Sequence, residues 1–226
     1  MSLAIAVITA PRPQPTFNAT IGELRRAGFR ERLHVFAEPH SRLGFHPDVE
    51  VHAHPQRLGM WRNWLHAARW LLCETTASRL LICEDDLSLA AGAASALAAA
   101  YRTLPWTDFG YASLYTPAHN VWGQTLQNGW QPLSTQRIAW GSLALAFTRA
   151  SLRELLHAKT TLAHGGQNGT DEVVCAATQT LGRRVYFHVP SLCAHAGGAN
   201  SSVGHYSTPS TAAVGFDPLF GWDKSA

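Results

Sequence analysis

A chain of 226 residues that is 46% apolar and 15% charged can bury a substantial core and is too apolar to stay disordered. Its formal charge of +3 without a dense Lys/Arg tract excludes a large nucleic-acid footprint but admits an anionic ligand. No apolar run reaches membrane length, Pro11 and Pro13 interrupt the start too soon for a signal peptide, and the four cysteines lack CxxC spacing; a cytoplasmic protein with reduced thiols is expected.

The elements alternate. An apolar strand over Leu3–Thr9 leads through a Pro-rich loop, Ala10 to Pro15, into a helix from about Thr16 to Ala27, which Gly28 stops. Leu33-His34-Val35-Phe36 reads as a second strand ending at Glu38, and Val49 to Ala53 as a third. From Gly59 to Cys73 the apolar positions Met60, Trp64, Ala67, Ala68, Leu71 and Leu72 recur with a helical period. The strand Leu80–Cys83 precedes an Ala-rich helix reaching about Thr103, then a strand Phe109–Leu114 and a long loop holding Trp122 and Trp130. A strand Ser142–Phe147, a helix from about Arg149 to His157, a glycine-rich turn at Gly165 to Gly169, a helix from about Thr170 to Leu181 and a strand Arg184–Val189 complete the order. Such alternation predicts an α/β fold: one domain over 1–202, with a mixed, mostly parallel sheet and helices on both faces. The Ser-, Pro- and Gly-rich stretch 203–226 reads as a C-terminal tail or lid.

One cluster stands out chemically. The apolar run Leu80-Leu81-Ile82-Cys83 passes straight into Glu84-Asp85-Asp86. Carboxylates this close repel unless a cation or hydrogen-bond donors meet them, and oxygen donors suit a hard ion such as Mn2+ or Mg2+. Ligands of parallel α/β sheets lie at the carboxyl ends of the strands, where this turn falls. The plain alternative is a solvated acidic turn.

Taken in order, several segments resemble the GT-A-type, DxD-bearing glycosyltransferases, similar to family-2-like and N-acetylglucosaminyltransferase-type enzymes. They are the loop Thr9–Arg12 after the first strand, Glu38 after the second, Arg62-Asn63 on the following helix, and Glu84-Asp85-Asp86 in the DxD place. Trp140-Gly141-Ser142 leads into a Gly-containing strand, Thr170-Asp171-Glu172 opens the next helix, and Val189 to His195 resembles a late strand delivering a metal-binding histidine; His195 to Ser202 is similar to a His-x-Gly…Ser-Ser ending. Two departures, Glu-Asp-Asp for Asp-x-Asp and Asp-Glu for Glu-Asp, leave the individual carboxylate roles open.

The resemblance implies a Rossmann-like, metal-dependent enzyme that moves a sugar from a nucleotide-diphosphate donor, with UDP-sugar favoured, to a hydroxyl. Asp86 and His195 become the expected metal ligands, with Thr9, Arg12, Glu38, Arg62, Asn63, Glu84 and Asp85 near the nucleotide. Asp171 is the candidate base, with Glu172 as runner-up, and single displacement with inversion follows from a base opposite the donor. Each has a plainer reading: a structural histidine, a solvated helix face for Arg62, a helix cap at Thr170 or Asp171. Trp122, Trp130 and Trp140 are candidates for stacking on an acceptor sugar. The acceptor itself stays open among a glycan, a lipid-linked sugar, a protein side chain and a modified DNA base. A metal-dependent hydrolase or phosphotransferase, or a non-catalytic nucleotide- or carbohydrate-binding relative, are the competing classes.

Overall fold

The computed structural model describes residues 2–135, 137–164, 169–196 and 212–221. Its strands are β1 (Leu3–Thr9), β2 (Leu33–Ala37), β3 (Val49–Ala53), β4 (Arg79–Glu84), β5 (Leu87–Leu89), β6 (Phe109–Ser113), β7 (Gly129–Pro132), β8 (Ala144–Thr148), β9 (Arg184–Val189) and β10 (Cys193–His195). The helices are α1 (Phe17–Arg26), α2 (Met60–Glu74), α3 (Ala93–Thr103), α4 (Ala118–Val121), α5 (Arg149–His157), α6 (Lys159–Ala163) and α7 (Thr170–Thr180).

An eight-stranded sheet runs in the order β3-β2-β1-β4-β8-β6-β9-β7. Strands β3, β2, β1 and β4 are mutually parallel, β6 and β9 share their direction, and β8 and β7 run against it. The mixed, mostly parallel sheet is therefore the expected one. Its central strands are apolar on both sides, as β1 shows with Ala4 to Thr9 all buried, because helices cover both faces. On one face Trp61, Trp64, Ala68 and Leu71 of α2 pack with Leu152 and Leu155 of α5 and Val174 of α7. On the other, Phe17, Ile21 and Leu24 of α1 pack with Leu97 and Tyr101 of α3.

Helix α1 ends where Gly28 takes φ 95°. Phe29 N–H then reaches the Leu24 carbonyl and Gly28 N–H the Arg25 carbonyl, which satisfies the last turn. The sequence reading did not contain β5, β7, α4 or α6, and took Val189 to His195 as one late strand where the structure sets β10 apart from β9. Strands β5 and β10 pair antiparallel, Leu87 opposite His195 and Leu89 opposite Cys193, as a separate two-stranded sheet. Elements this short gain their stability from a distant partner rather than from local pattern.

Residues 212–221, expected within a tail or lid, are tied to the domain. Ser191 N–H donates to the Val214 carbonyl, Val214 N–H to Thr116, and the amides of Ala91 and Gly92 to the carbonyls of Pro218 and Phe220. The turn Gly165–Asn168 and the segment 197–202 lie outside the described residues. Among those described, no helix is long and apolar enough to cross a membrane.

Candidate active site

One edge of the sheet gathers the loops that matter: the carboxyl ends of β1, β2, β4, β6 and β9 and the amino end of β8. Asp85 follows β4, and its side chain is fully engaged. One oxygen accepts from Nε and Nη2 of Arg12 at 3.0 and 2.8 Å, the other from the Thr9 hydroxyl. The Thr20 hydroxyl donates to its carbonyl at 2.7 Å. Burial pushes the Asp85 carboxyl above its ordinary range in spite of these partners.

Asp86 differs. Its Oδ2 lies 3.2 Å from Arg12 Nη1 and 3.5 Å from His195 Nδ1, but Oδ1 is buried without a hydrogen-bond partner among the described residues. Burial pushes this carboxyl up, yet His195 and Arg12 outweigh it and hold Asp86 below its usual range. His195 arrives on β10, and the Ala196 amide clamps the Asp86 carbonyl at 2.7 Å. Burial alone would lower the imidazole, but the Asp86 carboxylate holds it above its ordinary value. An orphaned carboxylate oxygen beside an imidazole is a donor set that fits Mn2+ or Mg2+.

Glu84 accepts from the Ser142 hydroxyl; burial first, then the Asp86 charge, push its carboxyl up to about 7. Ser142 belongs to a turn that also reaches Asp171, whose Oδ2 accepts from the Gly141 amide at 2.6 Å. Gly141 has φ 94°, and a Cβ there would fall 2.5 Å from the Tyr115 ring, so this close approach requires glycine. The ring of Tyr115 in turn meets His195 edge-on at 5.3 Å. Asp171, Gly141, Tyr115, His195 and Asp86 thus form one connected wall, with Ser142 and Glu84 beside it. Glu172 is half-buried in the first turn of α7, its own amide donating to the Asp171 carboxylate at 3.0 Å.

An open cleft adjoins this wall, lined by Thr9, Arg12, Glu38, Arg57, Asn63, Glu84 and Asp85 among others. Six residues expected near a nucleotide therefore converge. Glu38 and Asn63 bond to the surrounding frame. The Glu38 carboxylate accepts the Leu58 and Gly59 amides at 2.9 and 2.8 Å, capping α2 from outside. Asn63 donates to the Phe36 carbonyl and meets His54 Nε2, both at 3.0 Å. Arg62 is exposed on α2 and does not line the cleft, since Asn63 and Trp64 take the inward positions. Trp122 and Trp140 are solvent-exposed, whereas the Trp130 indole donates to the Ala96 carbonyl. The sequence reading missed Ser142 as a partner of Glu84, Tyr115, and Arg57 at the cleft rim; only Arg57, a cation just before a helix start, left a signal.

The chain shares 16% identity with the mannose-1-phosphate geranyltransferase of Thermus thermophilus, at a TM-score of 0.52 over 83% of this chain and 74% of that one. The likeness establishes the fold. A second solved structure, mannosyltransferase PcManGT of Pyrobaculum calidifontis with GDP-Man and Mn2+, aligns at 17% identity and a TM-score of 0.49 over 82% of this chain and 56% of that one. No protein-family model and no curated protein matches the sequence. The Rossmann-like mixed α/β architecture is thus shared with a solved enzyme, and the chemistry rests on the site itself.

Proposed function

We propose that the chain is a metal-dependent glycosyltransferase that moves a sugar from a nucleotide-diphosphate donor to a hydroxyl acceptor. The observation that carries this reading is the buried, unpartnered Oδ1 of Asp86 beside His195, at the carboxyl end of β4 and next to the cleft. Asp86 and His195 would hold Mn2+ or Mg2+, which when bound would neutralise the diphosphate and act as a Lewis acid toward it.

The chain's own groups divide the remaining work. Thr9, Arg12 and Arg57 border the space for the nucleotide, and Arg12 and Arg57 bring positive charge to it. Asp85 fixes the Arg12 guanidinium from two nitrogens, so the cation is held in place before a donor arrives. Glu84, held by the Ser142 hydroxyl at the cleft wall, is placed to hydrogen-bond a donor hydroxyl. Asp171 is the base that takes the proton of the acceptor hydroxyl, with Glu172 second; the Gly141 amide holds its carboxylate in position. A base held across from the donor would give single displacement with inversion. The exposed faces of Trp140 and Trp122 suit an acceptor with sugar rings. UDP is preferred to GDP on the resemblance of the motif order alone. The four unpaired cysteines support a cytoplasmic setting.

The test is calorimetric titration of UDP and of GDP, each with and without Mn2+, on wild type and on Asp86→Asn. Metal-dependent binding of one nucleotide, lost in the variant, is expected; Asp171→Asn should then keep that binding and lose turnover. Binding that survives in both variants, with wild-type protein inert toward every nucleotide sugar, would identify a non-catalytic binder. Failure to bind either nucleotide with any metal removes the transferase reading.

A further inference from the structure

A second group of ligating side chains lies away from the cleft, on the outer strands of the sheet. His34 of β2 stands in register with Glu50 of β3, and His52 follows Glu50 by two residues, so all three project from one face. His34 Nδ1 is 3.5 Å from one Glu50 oxygen and His52 Nε2 is 3.8 Å from the other. Donor atoms of the three residues lie within 4.8 Å of one another.

Two facts separate this group from an ordinary surface cluster. Both of these nitrogens, His34 Nδ1 and His52 Nε2, are buried and make no hydrogen bond among the described residues, a costly arrangement for a polar atom unless something else meets it. Both rings are also wedged in place: Trp70 packs against His34 and His52 with centroids 4.4 and 4.6 Å apart, and Phe36 stacks on His52 at 4.7 Å. Aromatic packing thus aims two unsatisfied nitrogens at a carboxylate. Arg32 Nε approaches the same carboxylate at 3.7 Å from a side chain that is 64% exposed, a contact too weak to fix Glu50.

We propose that His34, Glu50 and His52 form a binding site for a divalent transition metal of the zinc class, clamping the edge strand β3 to β2 and distinct from the Asp86–His195 site. Two imidazoles and one carboxylate are a borderline donor set that selects Zn2+, Co2+ or Ni2+ over Mg2+, and three protein ligands leave a fourth position for water. Tetrahedral ligation with bonds of about 2.0–2.1 Å separates donors by about 3.4 Å. The two nitrogen–carboxylate distances already approach that value. The structural consequence is local: among the described residues β3 has only β2 as a neighbour, and the clamp adds a cross-link where an edge strand is least secured.

The experiment uses the full, untagged chain stripped with a chelator and titrated with Co2+ as a spectroscopic probe, then with Zn2+. One equivalent of Co2+ should give the intense visible bands of a low-coordinate site, which Zn2+ should displace while raising the melting temperature. The bands should be lost in His52→Gln and in Glu50→Gln and kept in Asp86→Asn. Because a substitution at a packed ring can impair folding, the wild-type protein supplies a second readout: Co2+ should shift the ring protons of His34 and His52 strongly. His54 and His66, whose rings adjoin each other at 4.8 Å, are the internal comparison. Bands that vanish in Asp86→Asn but persist in His52→Gln overturn the proposal. So do ring-proton shifts confined to His54 and His66, or Co2+ that leaves every ring proton unmoved.

Discussion

Both side-chain oxygens of Asp85 are taken by Thr9 and Arg12, whereas Asp86 keeps Oδ1 unpaired, so substitutions at these neighbours should have opposite consequences. Asp85→Ala removes the two-nitrogen partner of a largely buried guanidinium that still meets Asp86 at 3.2 Å, and is expected to cost about 1.5–3 kcal/mol of stability, read as a lowered urea midpoint. Asp86→Asn keeps an oxygen acceptor toward Arg12 and His195 and should change stability by less than about 1 kcal/mol, while abolishing Mn2+-dependent nucleotide binding. A stable Asp85→Ala, or an Asp86→Asn protein with unchanged metal dependence, would reverse the division of labour. The sequence announced the acidic run because it interrupts an apolar strand so abruptly. It could not separate Asp85 from Asp86, since the residues that decide between them stand 73 and 76 positions away. Ser142 was hidden for the same reason: a lone serine carries no local sign that it will meet Glu84.

At the scale of elements, α2 shows how a residue expected at a ligand becomes part of the frame. Its N-cap is Gly59, which has no side chain to offer, and Glu38 at the end of β2 supplies the acceptor instead. Glu38→Ala is therefore expected to cost about 1–3 kcal/mol through the uncapped amides, measured by thermal melting, with little change in nucleotide affinity. A large loss of affinity at unchanged stability would return Glu38 to the binding residues. The long elements were legible because their patterns are local: the helical stripe of Trp64, Ala67, Ala68 and Leu71 in α2, and the apolar run of β1 between Leu3 and Thr9. The elements not read were β5, β7, α4 and α6. Leu87–Leu89 is a strand only because Cys193–His195 pairs with it, and no window along the chain contains both. That pairing is also what brings His195 to Asp86: the late strand that delivers the histidine was legible, its partner β5 was not.

For the whole molecule, the question is how the segment 212–221 is held against the body of the domain. His188 on β9 lies between Trp130 and Phe220, with centroids 5.1 and 5.6 Å away, and its Nδ1 faces the Pro190 carbonyl at 2.7 Å. Burial lowers the pKa of this imidazole from its ordinary 6.5. Below that value the unfolded chain binds a proton that the folded one resists, so this contribution to stability is present above about pH 6.5 and is lost as pH falls toward the depressed folded value. The melting temperature should drop between about pH 7.5 and about pH 5.5, and His188→Gln should flatten the drop. The same burial depends on Gly92, where a Cβ would lie 2.8 Å from the Cα of Gly221, a backbone atom that cannot turn aside. Gly92→Ala should therefore lift the segment at a cost of about 1–3 kcal/mol and speed chymotryptic cleavage at Phe216 and Phe220. Lifting Phe220 off His188 also lets water reach the ring, so the pH dependence should shrink in Gly92→Ala as it does in His188→Gln. A segment that becomes protease-sensitive while the pH dependence stays whole would show that Trp130 and β9 alone bury the histidine. In that case the docked segment would contribute contact area to the domain but no part of its proton linkage.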